Sequence, residues 1–368
     1  MSLKIPGMPD LSRQVELPAS DRLAELCERL RTASKTLDSV EDWPGEQLAL
    51  AADAGVFKWF VPQHLGGAGW NPCEIAEGYR RLAASCLTTT FVITQWVAAV
   101  TRIVSSKNEA LQQRLLPDLI AGKTHITVGI SHLTTSRRHL ANPVLSATET
   151  EQGFRLQGFS PWVTAAPNAD FFLIGATMQD QRQVLLVVSS DSPGVAIQPS
   201  QSLVALSASR TGSVKFEDVF VPAENLVAGP AEAVLKTSKR SGTGGVQTST
   251  LALALASSAI DFVVEQSADR TELSESGTEL KEQWQVAWQN LLSVADGSGE
   301  ISNEQLRTDA NSLALRSTQA AMVAAKGAGF VNGHPVGRWC QEALFFLVWS
   351  CPPAVSTANL CELAGIQS

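Results

Sequence analysis

Hydrophobic and polar positions change their period twice along the chain, and this divides it into three predicted parts. Up to about residue 122, apolar residues recur at helical spacing. From residue 124 to about 227 they alternate with polar residues, as in half-buried strands, and beyond residue 230 the helical spacing returns. The pattern predicts a multidomain α+β chain with an N-terminal helical domain (1–122), a central β-barrel domain (123–228) and a C-terminal four-helix bundle (229–368).

Individual elements follow from caps, glycines and prolines as well as from the period. Helices are predicted over residues 20–36, 42–54, 72–85, 87–105, 108–119, 248–268, 280–296, 303–325 and 335–349. Strands are predicted over residues 125–129, 144–148, 171–176, 184–188, 195–197 and 213–216.

One further stretch, residues 153–164, combines strand character with candidate chemistry. Its first half alternates apolar and polar residues, Gly158 predicts a turn, and a second extended piece carries Trp162 and Thr164. Residues two apart on a strand share a face. That face could hold a flat aromatic ring and donate one hydrogen bond to its polar edge. The alternative is a core tryptophan beside a solvated threonine.

Composition narrows the class of protein. The chain has 368 residues and a formal net charge of −8, which argues against non-specific nucleic-acid binding. Its six cysteines are scattered without a C-x-x-C pair, which favours a reducing compartment over a zinc site or a disulfide framework. No metal site is expected. No apolar run of about 18 residues and no signal-peptide core is apparent, so we expect a cytoplasmic protein that does not span a membrane.

The stretch around Trp162 resembles the "G-x-x-L-x-G-x-K-x-W-I-T-N" segment of the acyl-CoA dehydrogenase family. Residues 115–122 are similar to the family's "L-P-x-L-x-x-G" boundary, and residues 216–226 to its "F-x-x-V-x-V-P-x-x-x-L" segment. The resemblance covers roughly residues 20–350. It implies the helix–barrel–bundle fold, FAD as cofactor, and a homodimer or homotetramer in which a second subunit completes the flavin site.

The resemblance also implies which residues contact FAD. Trp162 and Thr164 would line the flavin ring, with Thr164 donating to its polar edge. The family's "L-T-E-P-x-x-G-S-D" loop falls on residues 130–138, where Ser131 keeps a hydroxyl and His132 stands in place of the acid. Arg138 stands in place of the loop's last residue, an aspartate.

Arg270 matches the arginine of the family's "R-x-x-F-G" motif, although the Phe-Gly is absent. The resemblance implies that Arg270 reaches the flavin pyrophosphate of a neighbouring subunit, since a guanidinium suits a diphosphate. The alternative is a solvated arginine at a helix end.

The family's carboxylate base has no counterpart here. The glutamate of the "Y-E-G-T" motif is replaced by Ser350, and a hydroxyl has no useful basicity near neutral pH. A second base position used by some members falls near Gly244 and Gly245, and the arginine beside it is matched by Arg240 only if the register shifts. His132 is a speculative base because a histidine titrates near neutrality; the other reading is a surface or core histidine.

Three functions remain open. The first is an FAD-dependent oxidoreductase of acyl-CoA dehydrogenase type that acts on the CH–CH bond of an acyl thioester and passes electrons to an electron-transfer partner. The second is a two-component flavin monooxygenase on the same fold, served by a flavin reductase, which would not need the missing glutamate. The third is a non-catalytic relative that has lost both base and flavin.

Overall fold

The computed structural model describes residues 15–17, 20–134, 143–236 and 245–366. Its α-helices are α1 Ser20–Ala33, α2 Gly45–Asp53, α3 Pro72–Ser85, α4 Leu87–Val104, α5 Glu109–Ile120, α6 Ser131–Thr134, α7 Val246–Ser267, α8 Ser274–Asp296, α9 Asn303–Ala325, α10 Pro335–Phe345 and α11 Pro353–Leu363. Its strands are β1 Ile126–Gly129, β2 Leu145–Thr150, β3 Gly153–Val163, β4 Phe171–Met178, β5 Gln183–Ser189, β6 Val195–Ile197, β7 Gly212–Pro222 and β8 Leu226–Ala231. The predicted order of helices, strands and helices is confirmed.

The eight strands form one mixed sheet in the order β6-β7-β3-β2-β4-β5-β8, with β1 paired to β4. β1 and β2 pair with β4 in parallel, and the remaining ladders are antiparallel. Among the described residues these ladders run from β6 to β8 without a closing pair. One face buries a core that includes Leu156, Phe172, Ile174, Leu186 and Phe216, which accounts for the alternation in the sequence.

Gly158 lies within a strand, so the predicted turn at this residue is wrong. β3 runs unbroken from Gly153 to Val163, with an irregular register between Leu156 and Gly158 opposite β7. The φ angle of Gly158 is +126°, and a Cβ there would meet the Val144 carbonyl oxygen at 2.2 Å. A glycine permits this bulge because a side chain would clash with the neighbouring backbone.

The C-terminal helices match their predicted positions, except that α8 begins six residues earlier than predicted, at Ser274 rather than Leu280, and that the chain after α9 differs in two ways. α9 spans the predicted residues 303–325, and its N-cap Ser302 accepts a hydrogen bond from the Gln305 N–H. α10 ends at Phe345, earlier than expected, and α11 follows although it was not predicted. Pro352 and Pro353 suggested an end to helical structure, whereas Pro353 occupies the first turn of α11, where proline is well tolerated.

The described chain falls into two compact units, each drawn from separate segments. One comprises Met1–Lys35, Asn71–Leu87 and Gly244–Ser368, and the other comprises Thr36–Trp70 and Thr88–Thr243. We call them the bundle unit and the sheet unit. The three predicted domain boundaries stay a prediction, although β8 runs across the one placed after residue 228.

By length and composition alone, two helices could cross a membrane. The expectation that the chain has no such segment is therefore wrong on these two criteria. α4 and α7 each contain an 18-residue window with a hydropathy of 1.3. These windows are 78% and 72% buried within the protein, which is typical of core helices.

Candidate functional site

The end of β3 presents an exposed indole next to a buried hydroxyl. Trp162 is 50% exposed, whereas Thr164, two residues on, is 4% exposed. Val163, between them, is buried and pairs with Gly212 of β7. The strand therefore anchors this pair and leaves about half of the indole open to solvent.

Thr164 is the end of a chain of three buried hydroxyls. Its Oγ1 lies 3.0 Å from the Oγ1 of Thr211, which lies 2.9 Å from the Oγ of Ser209. The backbone adds a further link, because the Ala165 N–H donates to the Ser209 carbonyl oxygen at 2.9 Å. Ser209 and Thr211 belong to the segment that enters β7, and the sequence analysis did not identify either residue.

Arg210 fixes that segment from outside the hydroxyl chain. Its guanidinium donates to the carbonyl oxygens of Glu41 and Asp42. Leu206 and Arg210 both adopt left-handed backbone conformations, with φ of 63° and 47°, and bracket a short 3₁₀ turn. Such conformations persist where surrounding contacts enforce them, so Ser209 and Thr211 sit on an immobilised segment.

Ser131 and His132 lie close to this site because β1 ends beside β3. A Cβ on Gly129, the last residue of β1, would meet the Ser160 Oγ at 2.8 Å and the Val163 side chain at 3.2 Å. Ser131 and His132 follow directly in α6. The sheet unit thus carries three of the predicted flavin contacts, Ser131, Trp162 and Thr164, together with the speculative base His132. Arg138 lies outside the described residues.

His132 is buried and bound to the sheet. Its Nε2 lies 2.7 Å from the Gly175 carbonyl oxygen on β4, so Nε2 carries the proton and Nδ1 is left as an acceptor. Burial lowers the pKa of His132, and the hydrogen bond to Gly175 opposes this only in part. A lowered pKa makes a weaker base than an ordinary histidine. Its role as base stays a prediction.

Several buried polar atoms near β1 and β3 have no partner in the described part of the chain. They are Thr127 Oγ1, Ser160 Oγ and His132 Nδ1. Leaving such a group unpaired is costly, so an ordered water or a polar ligand edge normally satisfies it. Together with the exposed indole and the hydroxyl chain, these atoms fit a flat ligand with a polar edge.

Arg270, in the bundle unit, already donates hydrogen bonds to groups of its own chain. It precedes α8, and its Nη2 donates to the Ala324 carbonyl oxygen at 2.6 Å and to Gln266 Oε1 at 3.2 Å. A cation at the last carbonyls of α9 is favourable there. Both readings of Arg270 remain compatible with this geometry, since a guanidinium carries five N–H donors.

Ser350 lies in the turn between α10 and α11, with a left-handed φ of 49°. The preceding Trp349 stacks on Phe345 with ring centroids 5.2 Å apart. Beneath the turn, the guanidinium of Arg307 donates through Nη2 to the carbonyl oxygens of Trp349 at 3.1 Å and Phe346 at 3.3 Å. Arg307 is fully buried, and burial lowers its pKa to about 10.

Arg307 was missed by the sequence analysis, although a signal was present. It stands at the same helical face as Asn311, Ala314 and Thr318, all of them buried. A charged residue on the buried face of a helix is unusual unless it is paired.

The second base position predicted from the sequence falls at Gly245, the N-cap of α7. Gly244 and Arg240 lie outside the described residues.

The structure does not bring Arg270 and Ser350 together within one chain. Arg270 binds α9 at Ala324, and the Ser350 turn rests on Arg307 near the start of the same helix. At ~1.5 Å per residue these two points are about 25 Å apart along α9.

Comparison with known proteins supports the resemblance seen in the sequence. The family model described as acyl-CoA dehydrogenase, N-terminal domain, matches residues 21–123. The chain is 24% identical over 250 residues to benzylmalonyl-CoA dehydrogenase of Aromatoleum aromaticum, a match that covers 66% of this chain and 65%, just under two thirds, of that protein. It is 21% identical over 363 residues to the mitochondrial short-chain specific acyl-CoA dehydrogenase of Rattus norvegicus, covering 90% of this chain and 86% of that one.

A solved structure, butyryl-CoA dehydrogenase of Megasphaera elsdenii, shares the fold with a TM-score of 0.79 at 17% identity, over 96% of this chain and 99% of that one. These comparisons support the acyl-CoA dehydrogenase family for this chain. The predicted fold class is thereby confirmed. The chain keeps Trp162 and Thr164 at the end of a strand and carries Ser350 where the resemblance implied a glutamate.

Proposed function

We propose that this chain is an FAD-dependent oxidoreductase that acts on the CH–CH bond of an acyl-CoA thioester. The observation that carries the proposal is the pairing of a half-exposed Trp162 with the hydroxyl of Thr164 at the end of β3. The family relationship and the curated acyl-CoA dehydrogenases at 20–24% identity support the reaction class.

Three residues of the sheet unit have distinct roles in this proposal. Trp162 covers one face of the flavin ring, and Thr164 donates a hydrogen bond to its polar edge. Ser131 and the backbone of α6 contact the ring from the end of β1. FAD, when bound, supplies the hydride acceptor. A hydrogen bond to the polar edge stabilises the charge that develops there.

Completion of the site by a second copy of the chain is part of the proposal. The distance along α9 between the contacts of Arg270 and the Ser350 turn supports it, because Arg270 would then serve the flavin pyrophosphate of a neighbouring subunit. Large apolar side chains are also exposed towards the C-terminus, including Val348 (75% exposed), Leu360, Leu363 and Ile366. Exposed apolar surface favours association. We therefore expect a homodimer or homotetramer, measurable by light scattering.

The proposed electron acceptor is an electron-transfer flavoprotein, and the proposed compartment is the cytoplasm. All six cysteines lie in the described part of the chain and none forms a disulfide, which is compatible with a reducing environment.

The test is the absorbance spectrum of the purified protein, followed by anaerobic titration with acyl-CoAs of several chain lengths. A flavin spectrum, FAD as the released cofactor, and bleaching of the 450-nm region by at least one acyl-CoA on the order of stoichiometric amounts support the proposal. A colourless protein that takes up no FAD contradicts it and favours a non-catalytic relative.

Ser350 favours a second candidate, the two-component flavin monooxygenase. A neutral hydroxyl at this position cannot remove a proton from carbon near neutral pH without a partner. Oxygen uptake that depends on a flavin reductase, with no bleaching by any acyl-CoA, would select this function over dehydrogenation.

A further inference from the structure

The hydroxyl groups of Ser209, Thr211 and Thr164 have one O–H donor more than the two hydrogen bonds between them use. Each hydroxyl has one O–H donor, which makes three donors in all. The two contacts, Ser209 to Thr211 and Thr211 to Thr164, use two of them. One O–H therefore has to point away from the chain of hydroxyls.

Burial restricts where that surplus O–H can point. Ser209 is 0% exposed, and Thr211 is its one hydrogen-bonding partner through the side chain among the described residues. A surplus donor at Ser209 would be buried and unsatisfied, at a substantial cost in free energy. Thr211 is 6% exposed and Thr164 4%, but Thr164 is the terminal hydroxyl and stands two residues from the half-exposed Trp162. The surplus O–H is best accommodated at Thr164.

We propose that Ser209 and Thr211 are positioning residues that orient the Thr164 hydroxyl as an outward hydrogen-bond donor to the flavin edge. In this arrangement Ser209 donates to Thr211, Thr211 donates to Thr164, and Thr164 donates to the ligand. Hydrogen bonds that run in one direction polarise each other and strengthen the terminal donor. The inference rests on the proposed function, because it assigns Ser209 and Thr211 to the same flavin site.

The backbone around these residues is suited to such a role. The Ala165 N–H binds the Ser209 carbonyl oxygen, which couples the end of β3 to the segment that carries Ser209 and Thr211. Arg210, between them, is tied to the backbone of Glu41 and Asp42. The backbone that carries Ser209 and Thr211 is thus fixed by contacts outside the hydroxyl chain, which limits how the three hydroxyls can rearrange.

The experiment measures the two-electron reduction potential of bound flavin in the full-length holoprotein. Thr164→Val removes the terminal donor, and we expect the ratio of reduced to oxidised flavin at a given potential to fall about tenfold, a shift of about 30 mV. Thr211→Val and Ser209→Ala leave Thr164 in place but remove its orientation, and we expect about a threefold fall, ~14 mV. Thr211→Ser keeps a hydroxyl and should restore the wild-type potential.

A double-mutant cycle separates positioning from a general structural effect. If Thr211 acts through Thr164, adding Thr211→Val to Thr164→Val produces no further shift, whereas independent effects would add. An undiminished shift from Thr211→Val in the Thr164→Val background overturns the inference, and so does a wild-type potential in both Thr211→Val and Ser209→Ala. Ser209→Ala supplies the same test if Thr211→Val does not fold.

Failure of this inference is distinguishable from failure of the proposed function. A wild-type chain that binds no flavin overturns both. A wild-type chain that binds flavin, with a potential that responds to Thr164→Val but not to Thr211→Val or Ser209→Ala, overturns the positioning role alone.

Discussion

The guanidinium of Arg307 donates to the carbonyl oxygen of Trp349 at 3.1 Å, directly before Ser350. The same Nη2 reaches Phe346, and the guanidinium carbon lies 5.5 Å from the centre of the Phe346 ring. A buried cation thus holds two carbonyls just beyond the end of α10, where the helix dipole favours positive charge. The turn that presents Ser350 is supported from beneath, and its side chain can be exchanged without disturbing these contacts.

Restoring a carboxylate at this turn should increase dehydrogenation. We expect Ser350→Glu to raise the rate of anaerobic flavin bleaching by an acyl-CoA by at least about tenfold, because a positioned base contributes roughly 10²–10⁴ to such rates. The measurement is stopped-flow absorbance with the acyl-CoA that bleaches the wild-type protein most. Ser350→Gln has nearly the same shape without the charge and should remain at the wild-type rate. Equal rates for both variants would show that position 350 does not face the reacting carbon.

Stability should fall as the pH drops from 6.5 to 4. Burial lowers the pKa of His125 to about 4, and the Asp170 carboxylate opposes this only in part. Between the two values the unfolded chain binds the proton more readily, so the free energy of unfolding decreases as the pH falls, by about 3 kcal/mol from this group. His132, whose pKa is also lowered, adds to the same trend. Urea unfolding at several pH values measures this slope.

A pair of histidine variants tests whether His125 causes this decrease in the free energy of unfolding. His125→Phe keeps an aromatic ring beside Trp43, whose ring lies edge-on to it at 6.2 Å. This variant should show a clearly shallower decrease of unfolding free energy between pH 6.5 and 4. His64→Phe makes the same change at an exposed histidine and should keep the wild-type slope. An unchanged slope in His125→Phe would contradict the assignment.

Gly158 should tolerate no side chain. We expect Gly158→Ala to lower the free energy of unfolding by more than about 2 kcal/mol, because its Cβ would clash with the Val144 carbonyl at a φ of +126°. Gly66→Ala is the control in the same unit, with a φ of +86° and open space around the added methyl group. It should cost about 1 kcal/mol, the penalty of the left-handed conformation alone. Similar losses in both variants would argue against a tight bulge in β3.

Local signals were sufficient for most of the helices. α9 begins at the predicted residue because Ser302 is a strong N-cap, and its apolar spacing continues to Ala325. Gly158 was misread because a glycine with positive φ suits both a turn and a bulge, and the pairing of β3 with β7 decides between them. β8 was not predicted because Gly229 and Pro230 resemble a loop, whereas pairing with β5 makes the segment a strand.

The candidate site was predictable only in part for a similar reason. Trp162 and Thr164 belong to one short sequence motif, so both could be named from the sequence. The expectation that they share a strand face was less successful, because Thr164 lies in the turn after β3 and is buried whereas Trp162 is half exposed. Thr211 reaches Thr164 across 47 residues of sequence, and no local pattern announces such a contact. Arg307 supports the Ser350 turn from another helix. Its charge on the buried face of α9 was a signal in the sequence, but only the packing of α9 beneath the turn shows which carbonyls it binds.

The central claim is that the exposed indole at the end of β3 is a flavin platform, and flavin binding by Trp162→Ala tests it most directly. The dissociation constant of FAD, measured by fluorescence quenching on the apoprotein, should rise about tenfold or more with little change in stability, since the side chain is half exposed. Phe220→Ala removes another exposed aromatic residue, on β7 of the same unit, and should bind FAD like the wild type. Equal FAD affinity in wild type and Trp162→Ala would contradict the account.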